Sequence, residues 1–193
     1  MKLFRLIPSL FICLASVAWS KGVPNIKAKT GEPAIPELMG GCSMNCTFRW
    51  EVEAFAVGSD KASKVIALND ETLSSVWTAP GGVGVKITFS FPKKIHPEME
   101  GMVPFYGLDI VNGEWNEESW KNKARVKKAK LYYNGKPHSV VSFSDTRKWQ
   151  LIEFDDIMIL SGDVMTFEIL EIYPGVNKDA PVAISEFVLQ GAH

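Results

Sequence analysis

From Val85 to Phe91 the sequence alternates strictly, with Val85, Ile87, Phe89 and Phe91 set against Lys86, Thr88 and Ser90. A period of two puts the apolar set on one face of a strand and the polar set on the other, and a helix cannot bury such a pattern. The alternation recurs over residues 47–54, where Phe48, Trp50, Val52 and Ala54 oppose Arg49, Glu51 and Glu53. Residues 106–111 read as a further strand. The runs 125–133 and 136–144 flank Asn134-Gly135, a pair that readily takes the positive φ values of a type I′ turn, so a β-hairpin is expected there. Residues 149–154, continued at 157–160, and the runs 167–173 and 182–189 complete the set. About eight short strands, long loops at one end and no helical segment of weight predict an all-β fold, an antiparallel jelly-roll β-sandwich.

The last two runs carry Glu168, Glu171 and Glu186 among apolar residues. A carboxylate on a buried strand requires a partner, a hydrogen-bond network or a metal.

Residues 1–20 have a basic start at Lys2 and Arg5, an apolar run of about a dozen residues, and small residues at Ala18 and Ser20. This is the pattern of a secretory signal peptide cut after Ser20, too short for a membrane span. Phe11 and Ile12 are bulky where a lipidation signal before Cys13 would carry small residues. The expected destination is the periplasm, cell surface or medium, with no membrane span. Without residues 1–20 the chain keeps 19 basic against 22 acidic residues, a net charge of −3, which argues against bulk nucleic-acid binding.

Residues 21–46 are rich in Pro, Gly and Lys, and Pro24, Pro33 and Pro36 suggest a flexible or surface-laid arm. Cys42 and Cys46 lie four apart at its end and predict a small disulfide loop in an exported chain. The sandwich domain is expected over residues 47–193.

Gly82-Val83-Gly84 lacks the third glycine of a dinucleotide fingerprint and leads into a strand, so that reading fails. His96, His138 and His193 are scattered, no nucleophile elbow occurs, and the adjacent acids Asp155-Asp156 and Glu117-Glu118 do not define a glycosidase pair. No enzyme activity and no required cofactor are expected. Lys121, Lys123, Arg125, Lys127, Lys128 and Lys130 form a basic run, read as the solvated face of a strand unless the lysines converge with the tryptophan loop. In that loop, Trp115 and Trp120 form a candidate platform for sugar rings, with Asn112 and Asn122 taking hydroxyls. One of the two tryptophans is expected to pack into the core and the other to be exposed.

Several local patterns occur in one order: Asp70 before Ser75 and Trp77, Gly82-Val83-Gly84 leading into a strand, Asn112-Gly113, Asn122 before Arg125-Val126, Glu171-Ile172-Tyr173-Pro174-Gly175, and Ile184-Ser185-Glu186-Phe187. This order resembles the discoidin-like (F5/8 type C, galactose-binding-like) domains, in the branch named for the translocation or glycan-binding domain of bacterial NAD glycohydrolases. It covers roughly residues 48–189, with departures at Ala79, Val85 and Asn177-Lys178.

The resemblance implies an exported bacterial module that recognises a carbohydrate or cell-surface ligand through end loops, without NADase activity. The expected ligand-binding set is Asn112, Trp115, Trp120, Asn122 and Arg125. The resemblance also implies a structural Ca²⁺ at Asp70, Ser75 and Glu186, completed by backbone carbonyls. The alternative for Glu186 is pairing with Arg125 or capping of loop amides without metal. The alternatives for function are an envelope scaffold that binds another protein, and a hydrolase with an unrecognised site.

Overall fold

The computed structural model describes residues 22–31, 51–55, 62–68, 70, 72–91 and 103–191. The signal-like residues 1–20 and the Cys42/Cys46 loop lie outside them. Twelve strands are described: β1 (Asn25–Lys27), β2 (Lys29–Gly31), β3 (Glu51–Phe55), β4 (Ala62–Lys64), β5 (Trp77–Ala79), β6 (Lys86–Ser90), β7 (Val103–Asn112), β8 (Arg125–Tyr133), β9 (Lys136–Ser142), β10 (Trp149–Ile159), β11 (Val164–Tyr173) and β12 (Val182–Gly191). They form a seven-stranded sheet, β1-β9-β8-β11-β6-β3-β4, and a five-stranded sheet, β2-β10-β7-β12-β5. The chain passes repeatedly between the two, as the jelly-roll expectation required.

Alternation determines which faces meet. Val85, Ile87, Phe89 and Phe91 are all buried, while Lys86 is exposed. From the opposite sheet Phe187 inserts its ring between Phe89 and Phe167, with centroids 5.4 and 5.1 Å away in edge-on contact. The hairpin closes through Asn134 at φ 48° and Gly135 at φ 75°, the type I′ geometry its sequence predicts.

The strand tally exceeds the expected eight by four: β1, β2, β4 and β5, each three residues long. These are edge or near-edge pieces whose pairing is set by a neighbouring strand, so their own short sequences carry no period to detect. Two of them come from the N-terminal arm. Residues 25–27 pair in parallel with β9, and residues 29–31 pair antiparallel with β10. The described part of the arm is thus laid along the edges of both sheets. Pro24 precedes the paired segment, where its missing N–H costs no ladder bond.

Candidate functional site

At the end of β7 the chain turns at Gly113 into a loop that runs to Lys123, closing with a 3₁₀ turn at Trp120–Asn122. Gly113 has φ 98°, and a Cβ there would meet Trp120 Nε1 at 2.7 Å and Arg125 Cγ at 2.8 Å, so only glycine fits. Just before it, Asn112 is buried and grips the backbone of Val126 at two points. Its Nδ2 donates to the Val126 carbonyl at 2.6 Å, and its Oδ1 accepts from the Val126 N–H at 2.8 Å. This joins β7 of one sheet to β8 of the other.

Of the two loop tryptophans, one is buried as expected, while the other, expected to be exposed, is half-buried. Trp120 is buried, and its indole N–H donates to the Asn112 carbonyl at 3.2 Å. The Arg125 guanidinium lies 4.7 Å from the centre of its ring. Arg125 is itself buried at 5 % exposure. It donates through Nε and Nη2 to the Asp145 carboxylate at 2.8–3.0 Å, and through Nη1 to the carbonyls of Lys123 and Pro174 at 2.8 and 2.9 Å. The carboxylate on Arg125 is therefore that of Asp145, not Glu186, and all five guanidinium donors are engaged.

Trp115 is half-buried at the rim. Its N–H donates to the Ser185 hydroxyl at 3.1 Å, and that hydroxyl donates to the Gly113 carbonyl at 2.9 Å. Its ring packs against a small cluster of Val111, Trp149 and Val188. Arg147, from the turn between β9 and β10, lies 5.6 Å from the ring centre, donates to the Trp115 carbonyl at 3.0 Å and pairs with Glu117 at 2.9 Å. Asn122 is exposed on the same loop. Of the five residues expected to bind ligand, Asn112, Trp120 and Arg125 thus form the buried frame of the loop, and Trp115 and Asn122 reach its surface. Arg147 and Asp145 were not singled out in the sequence, and Ser185 only as part of the motif Ile184-Ser185-Glu186-Phe187. Arg147 lies 32 residues from Trp115, and no local pattern joins them.

The basic run splits in two. Lys121 and Lys123 belong to the loop, but Lys127 and Lys128 both meet Glu171, and Lys130 lies 5.0 Å over the Tyr132 ring. Register shifts on either side of Glu171 place it between the two lysines. The bond from Lys128, then that from Lys127, holds the Glu171 carboxyl down at about 2. Glu168 accepts from the Tyr132 hydroxyl, which is pushed up to about 12 by that bond. Two of the three strand carboxylates noted in the sequence are thus explained by neighbours on β8.

In the loop before β5, the Asp70 carboxylate accepts from the Thr72 N–H at 3.0 Å and lies 2.7 and 2.8 Å from Ser75 Oγ. Ser75 Oγ is also 2.7 Å from the Thr72 carbonyl. Four oxygens thus crowd together around one hydroxyl proton, a donor set suited to a hard cation. The 3₁₀ turn Ile66–Leu68 packs on β12, where Glu186 is buried. Among the described residues, no three of His, Cys, Asp and Glu gather as a metal cluster. Asp70, Ser75 and Glu186 would therefore need backbone carbonyls to complete a Ca²⁺ shell. Among the described residues no helix is long and apolar enough to cross a membrane.

Three solved structures of Clostridium perfringens ZmpB resemble this chain. Its CBM32-1 and CBM32-2 domains in complex with GalNAc align with TM-score 0.57 at 10 % identity, over 86 % of this chain and 40 % of that one. A second structure of the same two domains aligns with TM-score 0.57 at 10 % identity, over 86 % and 41 %. The structure that adds the M60 catalytic domain aligns with TM-score 0.60 at 8 % identity, over 92 % and 17 %. The chain thus spans less than half the length of each, and at such identities the likeness is one of fold. No curated protein matches the sequence. Residues 50–190, nearly the whole sandwich, match the NAD glycohydrolase translocation F5/8 type C domain, and the chain belongs to that family.

Proposed function

We propose that this chain is an exported bacterial binding module, without catalytic activity, that takes a carbohydrate or cell-surface ligand at the loop end of its sandwich. Trp115 and Asn122 are the contact groups, and Asn112, Trp120 and Arg125 hold the loop in shape beneath them. The observation that carries this reading is Trp115. A large amphipathic ring sits half-buried at the rim, propped by Arg147 and Ser185, on the same loop as the exposed Asn122. The GalNAc complex of the similar Clostridium perfringens domains supports a sugar as ligand.

The test is glycan-array binding of the intact protein beside Trp115→Ala and Asn122→Ala. Loss of binding in both variants, with cooperative unfolding retained and the melting temperature lowered by no more than a few degrees, is the expected result. Normal glycan binding by Trp115→Ala would move the site away from this loop. Failure of the intact protein to bind any glycan would favour the envelope scaffold instead.

The Ca²⁺ reading rests on the crowded oxygens of Asp70, Ser75 and Thr72. A cation held there would tie the loop before β5 to β12 through Glu186. Added Ca²⁺ should raise the melting temperature, and the rise should vanish in Ser75→Ala. An unchanged melting temperature in Ca²⁺ would remove the site.

A further inference from the structure

Away from the loop end, the outer face of the five-stranded sheet contains a notch of about 380 Å³. Its origin lies in the register of three strands. Gly107 on β7 stands opposite Glu153 on β10 and opposite Gln190 on β12. Having no side chain, it leaves a gap between them. A Cβ at Gly107 would lie 2.8 Å from the Ile152 carbonyl, so the floor is backbone packed on backbone. Both neighbouring strands break register beside it, between Glu153 and Ile157 and between Gln190 and Gly191. Bulges of this kind re-aim side chains, and Tyr106 is correspondingly exposed at 40 %.

Two residues along β7, Asp109 shares the outward face of Gly107, since the alternate residues Leu108 and Ile110 are in the core. Asp109 is 3 % exposed, and its Oδ2 accepts from Gln190 Nε2 at 2.6 Å. The notch therefore has apolar walls from Tyr106, Leu151 and Phe154 and two carboxylates, Asp109 and Glu153. Lys29, on the edge strand β2, already pairs with Glu153, both side chains being well exposed, so this rim accepts an ammonium group. Among the described residues no cation is recorded on Asp109.

We propose that this notch is a second binding site, separate from the tryptophan loop, that takes the cationic side chain of an arginine or lysine from a protein partner. The aliphatic stem lies along Leu151 and Tyr106, the head group pairs with the exposed Glu153 carboxylate above the buried Asp109 carboxylate, and the Tyr106 ring can add a cation–π contact. Lys29 offsets part of the Glu153 charge but does not pair with Asp109, so a neutral sugar would leave the remaining repulsion between the two carboxylates, which a second cation relieves. The titratable and charged groups facing Asp109 are Glu153 on β10, Tyr106 on its own strand and, beyond Glu153, Lys29 on β2. Burial, together with the Glu153 charge, pushes the Asp109 carboxyl up to about 6 against the pull of Gln190. Occupancy by a cation should therefore require a pH above that value.

The experiment is titration of the ¹⁵N-labelled protein with N-acetyl-arginine amide and, separately, with galactose, observed at the backbone amides of Gly107, Leu151 and Gln190. The expected result is saturable shifts with capped arginine near neutral pH. They should weaken about tenfold or more in Asp109→Asn and in Glu153→Gln, weaken again well below pH 6, and persist in Trp115→Ala. Absence of saturable shifts, equal binding by Asp109→Asn, or shifts with galactose alone would each overturn the proposal. Because the readout lies outside the tryptophan loop, its failure leaves the glycan reading untouched.

Discussion

Arg125 and Asp109 are both nearly inaccessible charged residues, at 5 % and 3 % exposure, and the structure treats them in opposite ways. Arg125 meets a carboxylate, two backbone carbonyls and an indole ring. Asp109 meets a neutral amide across a notch whose other charged wall is a second carboxylate. A buried ion whose donors are all engaged acts as architecture, because any movement would strand it without water or partner. A buried ion left to a neutral partner beside open space destabilises the fold at neutral pH, and a ligand can relieve that penalty. Around Arg125 the loop end is thus held by completed polar contacts, while the notch retains an incompletely compensated one.

The contrast can be broken most sharply at Trp120. Its replacement by Ala should cost about 3–5 kcal/mol by urea denaturation, because a buried ring and the Arg125 stack go together. A cost below about 1 kcal/mol would mean the loop end is not a packed frame. Arg125→Met should cost about 2–3 kcal/mol, since the carbonyls of Lys123 and Pro174 lose their donors while the exposed side of Asp145 returns to water.

Asp109→Asn should act in the opposite sense. The folded protein keeps this proton up to about pH 6, whereas an unfolded aspartate releases it near 3.8, so stability falls as pH rises between those values. The Asn variant escapes that loss and should be more stable than the natural protein by about 3 kcal/mol above pH 6. The difference should disappear below about pH 4, and a gain independent of pH would refute the account. The smallest effect belongs to Trp115→Ala. This half-buried ring should cost about 1 kcal/mol, well below Trp120, and equal costs for the two would erase the division between frame and surface.

Much of the scaffold could be read along the chain. The alternation 85–91 corresponds to β6, the pair Asn134-Gly135 to the β8–β9 turn, and residues 182–189 to most of β12, since period and turn chemistry are local properties. The ordered motifs likewise pointed to the discoidin-like family to which residues 50–190 belong. The site was only half legible. Asn112, Trp120 and Arg125 were visible as polar and aromatic residues near a glycine, but residue type does not distinguish a group that meets ligand from one that grips Val126 or Asp145.

By itself, then, the sequence determined eight of the twelve described strands, the buried face of β6, the hairpin and the family, because each is written in spacings of a few residues. The tertiary structure alone decided which carboxylate faces which cation. Glu171 finds Lys127 and Lys128 across β8, Arg125 finds Asp145 twenty residues on, and Arg147 comes to lie beside Trp115. Asp109 is left facing Glu153 because Gly107 stands between two strands that slip register. Such pairings depend on strand order and bulges, which arise from packing two sheets together and have no counterpart in any local pattern.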